Sequence, residues 1–85
     1  MPAQTEAKQV RSAIPRNSLL EHLAMAERHI AQGTAIIEKQ KLLILELERD
    51  GHDITRPLAL LHQFEDLQEL HLADRDRLVA ELAEA

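Results

Sequence analysis

The chain has no cysteine, tryptophan or tyrosine, one phenylalanine (Phe64), two glycines and three prolines in 85 residues. Without cysteine there is no disulfide framework, no thiolate metal site and no thiol chemistry. With a single ring there is no platform on which bases could stack. Basic residues are outnumbered, ten against fifteen, giving a net charge of −5 and no concentrated cationic face for a phosphate backbone. No nucleic acid partner is therefore expected. No run of about 18 apolar residues occurs, so no membrane span is expected either. The first residues, MPAQTEAKQVRSAIPRN, lack a continuous apolar stretch and a cleavage-like site, so no secretion signal is read and a cytoplasmic location is the expectation. Glycine-rich phosphate loops and Ser/His/Asp constellations in a pocket-forming fold are missing as well. The chain is read as no enzyme, with no cofactor.

What is there is helical. The apolar fraction, 45%, consists almost wholly of Leu, Ala and Ile, residues that suit helices better than strands. Length allows one small domain, which without disulfides needs regular helix packing, a ligand or a partner chain. Charge is uneven: residues 1–17 carry +2, residues 18–50 carry −2 and residues 51–85 carry −5.

Residues 1–17 hold two prolines and no amphipathic period, which predicts a disordered arm, either solvated or touching an acidic partner. Ser18-Leu19-Leu20-Glu21 fits a capping box, so a first helix is predicted over 18–50. Within it Leu23, Ile30, Ile37 and Ile44 recur every seven residues, interleaved by Leu19, Ala26, Gly33, Gln40 and Leu47. That is a coiled-coil-like seam with small residues at its middle. Gly33 either admits a neighbouring helix closely or is a tolerated interior glycine. Gly51 suits a left-handed helix stop, which places the turn at 51–55. Thr55 or Asp53 would cap a second helix over 56–84, with Pro57 inside its first turn. Projected at 100° per residue, Leu60, Phe64, Leu67, His71, Leu78 and Leu82 fall on one arc. The fold class is thus all-α, a long antiparallel two-helix hairpin.

A two-helix layer covers one stripe of each helix, whereas around Lys41 the run Leu42, Leu43, Ile44, Leu45 and Leu47 points apolar groups in nearly every direction. Leaving such leucines wet costs roughly 1.5–3 kcal/mol each. Self-association into a homodimeric four-helix bundle would cover them, and so would docking of Leu42, Leu43 and Leu45 on another protein's helices. A marginal monomer is the remaining possibility. The expected seam of hairpin and dimer is Leu23, Ile30, Ile37, Ile44, Leu47, Leu60, Phe64, Leu67, Leu78 and Leu82. The leading functional expectation is a small interaction or regulatory module acting through this self-association.

Five histidines make metal and proton chemistry worth weighing. His52 falls in the turn as a C-terminal cap contact, and His62 faces the polar side near Glu65 and Asp66. If the chain folds back about residues 53 and 54, His71 lies near Ile36, and Asp74 and Arg75 lie near Gly33 and Gln32. A buried polar layer of His29, His71, Asp74 and Arg75 would then cross the bundle and fix its register. The alternatives are half-exposed edge residues and a metal site on His29, His71 and Asp74, although the Glu-x-x-His signature of di-metal bundles is absent. Histidines in a dimer seam would also make assembly pH-sensitive.

The segments HLAMAERHI (22–30), LERDGHD (47–53) and LHLADRDRL (70–78) resemble those of a group of short bacterial helical-hairpin proteins with no assigned activity. The likeness spans about residues 22–78. It implies a natural bacterial hairpin and transfers no functional residue.

Overall fold

The computed structural model describes residues 14–84; the greater part of the expected arm, residues 1–13, lies outside them. The described residues form two helices, α1 (Arg16–Arg49) and α2 (Thr55–Glu84), packed against each other with no strand among them. At about 1.5 Å per residue the helices are about 51 and 45 Å long. They make one layer, and the Cα trace is only 14 Å deep in its thinnest direction.

Helix α1 starts two residues before the capping box. Pro15 is the N-cap (φ −58°, ψ 141°) with no side-chain cap bond, and its carbonyl accepts the first helical bond from the Leu19 N–H at 3.1 Å. Proline can stand at a helix start because its missing N–H would be unpaired there anyway. Arg16 and Asn17 therefore belong to the helix rather than to the arm, and Ser18 and Glu21 are not its cap.

The stop at Gly51 is a Schellman turn. Gly51 has φ +78°; its N–H donates to the Glu48 carbonyl at 3.1 Å, and the His52 N–H donates to the Leu47 carbonyl at 2.9 Å. Both bonds close only when the residue between them takes the left-handed conformation that a Cβ resists. Helix α2 opens with the Leu58 N–H on the Ile54 carbonyl at 2.9 Å. Of the two expected caps, Asp53 does the work: its carboxylate accepts from the Thr55 N–H at 2.9 Å and the Thr55 hydroxyl at 2.7 Å.

These two bonds, the hydroxyl's first, hold the Asp53 carboxyl below its ordinary value of 3.8. A carboxyl lowered in the folded state stabilises the fold above its unfolded value and loses that contribution as pH falls through the folded one. Asp53→Asn, which can still accept both bonds, is expected to unfold with less loss between pH 7 and pH 3 than the parent; Asp53→Ala loses stability already at pH 7. Urea midpoints at the two pH values check this, and equal acid losses in parent and Asp53→Asn would contradict it.

The seam follows a strict heptad on both helices. From α1 come Leu19, Leu23, Ala26, Ile30, Gly33, Ile37, Gln40, Ile44 and Leu47. Ile54, just before α2, begins the second row, which continues through Pro57, Leu61, Phe64, Gln68, His71, Arg75, Leu78 and Leu82 of α2. Every one of them is buried or half-buried. At the open end Leu19, Leu23, Ala26, Leu78 and Leu82 form the best-packed cluster, with Leu78 only 1% exposed.

Two expectations about this seam need correction. Leu60 and Leu67 are 41% and 50% exposed and lie outside the seam of the hairpin, where Leu61 and Gln68 take the neighbouring places. A straight-helix projection over 30 residues drifts from the 3.5-residue period that two wrapped helices keep. The register also differs by nearly two turns: Gly33 lies against Gln68 and His29 beside His71, rather than Ile36 beside His71. Leu47 and Ile54 are half-buried seam residues flanking the Schellman turn, so the chain folds back about residues 50 and 51.

Candidate functional site

The four residues expected to form a buried polar layer do not form one. His29 is exposed and His71 half-buried, their rings tilted at 35° with centroids 5.2 Å apart. Asp74 is exposed and pairs with Arg77 of its own helix at 2.6 Å, and Arg75 pairs with Asp76 at 2.9 Å. Asp74 and Arg75 are each paired within a turn of their own helix, which is why neither crosses to α1. Arg77 also reaches Glu81 at 3.1 Å. Its guanidinium is held above its ordinary range by the Asp74 hydrogen bond first and the Glu81 charge next. Such exposed pairs are screened by solvent and contribute little to stability. Asp74 thus does not join His29 and His71 as a third ligand. Among the described residues no group of three or more His, Asp or Glu side chains is placed to hold a metal ion. His52 and His62 are exposed.

The polar contacts that do cross the seam come from two glutamines. Gln40, 8% exposed, donates from Nε2 to the Pro57 carbonyl at 2.9 Å. Gln68 donates from Nε2 to the Ile30 carbonyl at 2.9 Å and to the Thr34 hydroxyl at 3.1 Å. Its carboxamide lies across Gly33, where a Cβ would collide with Oε1. Gly33 is therefore a close-approach glycine, and its helix-propensity cost of about 1 kcal/mol is spent admitting the Gln68 side chain. Neither glutamine finds these acceptors in another register, so the pair fixes the alignment of the helices.

Outside the seam, the two flanks of the layer differ. On one, the row beside the α1 seam is His22, His29, Ile36 and Leu43, and the row beside the α2 seam is Leu60, Leu67, Asp74 and Glu81. In the register set by Gly33 and Gln68 these rows meet level by level, from the turn outward: Leu43 with Leu60, Ile36 with Leu67, His29 with Asp74, His22 with Glu81. The four apolar members are 43%, 41%, 47% and 50% exposed in that order. Two adjoining grooves run along this half, one of about 210 Å³ that includes His29, Gly33, Ile36, Leu67 and His71. The second, about 500 Å³, shares Ile36 and Phe64 with the first and extends past Leu43 to Glu46.

The other flank mixes its residues. Lys41 lies level with Leu58, Thr34 with Glu65 and Glu27 with Leu72, and only Leu20 with Val79 makes an apolar rung. Of the leucines expected to dock as one end, Leu42 and Leu43 line the second groove on the first flank. Leu42 is 62% exposed, and Leu45 (60%) points toward the second flank, because consecutive helical residues are 100° apart.

No helix of the described residues is long and apolar enough to cross a membrane. No family model matches the chain, and neither a curated protein nor a solved structure matches it.

Proposed function

We propose that the chain is a non-enzymatic interaction module that works by self-association, a second copy covering the flank of Ile36, Leu43, Leu60 and Leu67 to make a four-helix bundle. The observation that carries this reading is the segregation of those four apolar residues on one flank, where Ile36, Leu43 and Leu67 line two adjoining grooves. Scattered exposed leucines are ordinary on a small protein, but a contiguous strip rimmed by polar groups marks an interaction site. A second hairpin also presents what the grooves accept, a layer of two helices with the same apolar rows.

Sedimentation equilibrium of the parent chain beside Leu67→Glu and Leu45→Glu tests the reading. Parent and Leu45→Glu are expected at the mass of two chains and Leu67→Glu at the mass of one. A parent of one-chain mass at hundred-micromolar concentration would overturn self-association and leave the flank to a different protein.

A further inference from the structure

We infer that the two copies dock with their turns side by side, the two-fold axis running along the hairpin, so that α1 of each faces α2 of the other. The inference rests on the self-association reading and specifies its geometry.

An axis along the hairpin brings residues of equal level together. Leu43 then meets the partner's Leu60, and Ile36 meets the partner's Leu67, so the apolar half closes on itself. Toward the open end His29 meets the partner's Asp74 and His22 the partner's Glu81, donor facing acceptor. In the outer row Glu46 comes opposite the partner's Arg56, a charge pair of the right sign. No like charges meet along these rows, and complementarity of this kind sets orientation more than it sets affinity.

The opposite arrangement, with turns at opposite ends and the hairpins fully overlapped, places each helix against its own copy. In α2 the row Leu60, Leu67, Asp74, Glu81 would then run against its reverse, setting leucines against carboxylates at every level. In α1 the leucine and isoleucine would lie against histidines. Asp74 and Glu81 keep Arg77 as their partner, but burying that ion pair against apolar side chains costs desolvation that no group opposite offsets. Sliding the copies until only the apolar halves overlap avoids that, but leaves the rest of the flank uncovered. The order of residues along the flank therefore favours the turn-beside-turn dimer.

The chain contains no cysteine, so a single introduced cysteine carries a spin label at one position, and every dipolar interaction is between chains. Two separate samples of the full chain, Asp50→Cys in the exposed turn and Glu21→Cys on the exposed side near the open end, are measured by pulsed electron paramagnetic resonance. The turn-beside-turn dimer gives short distances for both, roughly 20–35 Å with helices about 10 Å apart and label linkers included. Fully overlapped copies of opposite direction give roughly 45–60 Å for both, from helices about 50 Å long. Half-overlapped copies give an intermediate distance at residue 50 and a long one at residue 21. Either of the last two results would overturn the inference while leaving self-association standing. The absence of any interchain signal in both samples, with sedimentation at one-chain mass, would remove self-association itself.

Discussion

Replacing Leu67 by glutamate is expected to leave a folded, helical chain that no longer associates. Leu67 is half exposed in the hairpin, so the change costs the seam little. Across a two-fold interface it acts twice, once in each copy. Each site loses the burial of a leucine, about 1–2 kcal/mol for its exposed half, and leaves a carboxylate facing Ile36 of the other copy. Taken together, a weakening on the order of 10³-fold in dissociation constant is expected. Leu45→Glu makes the same chemical change on a more exposed leucine on the far side and is expected to leave association within a few-fold of the parent. Equal masses for Leu67→Glu and the parent would place the interface elsewhere.

Leu78→Ala acts on the fold. Leu78 is the most buried residue described and packs with Leu19, Leu23, Ala26 and Leu82 at the end of the hairpin far from the turn. Among the described residues no loop joins the helices at that end, and this cluster holds their last turns together. Truncating a buried leucine costs about 2–5 kcal/mol, the amount depending on how far the neighbours collapse. For a small domain that is a large share of the total stability. The expected result is a urea midpoint well below that of the parent, with amide protection lost first at residues near 19 and 82. A loss below about 1 kcal/mol would show that the open end contributes little.

The two helices, the turn and the α1 seam are legible in the sequence because each has a local cause. Gly51 stands where only a left-handed residue closes the turn, and Leu23, Ile30, Ile37 and Ile44 keep a seven-residue spacing without interruption. Helix α2 hides its seam, because Gln68, His71 and Arg75 occupy three successive seam positions while Leu60, Leu67 and Leu70 lie off it. Hydrophobicity alone therefore draws Leu60 and Leu67 in beside Phe64, Leu78 and Leu82, which do lie in the seam. The glutamine contacts had a signal that periodicity could have supplied: Gly33 and Gln40 both fall in the α1 seam, where a missing side chain and a buried amide each require a counterpart. Ser18 and Glu21 have the spacing of a cap, yet Pro15 three residues earlier already supplies a helix start. The register depended on how tightly the turn closes, which the Schellman bonds decide and a count of loop residues does not.

For the candidate surface, the sequence shows too many leucines for a hairpin to bury but not where the excess goes. Leu42, Leu43 and Leu45 are neighbours in the chain, yet Leu42 and Leu43 line one groove while Leu45 lies on the other side of α1. Leu43 becomes part of a strip only beside Leu60 of the other helix, and that adjacency is a property of the register. His29 and Asp74 likewise become a rung of the flank only once the register is known.

The central claim is that a second copy covers the flank of Ile36, Leu43, Leu60 and Leu67. Methyl resonances of an isoleucine- and leucine-labelled chain, followed on dilution from about millimolar to micromolar, test it most directly. The methyl signals of these four residues are expected to shift together along one dilution curve, while those of Leu20, Leu45 and Leu58 stay in place. Shifts confined to Leu20 and Leu58, or no shift at any of the seven, would contradict the account.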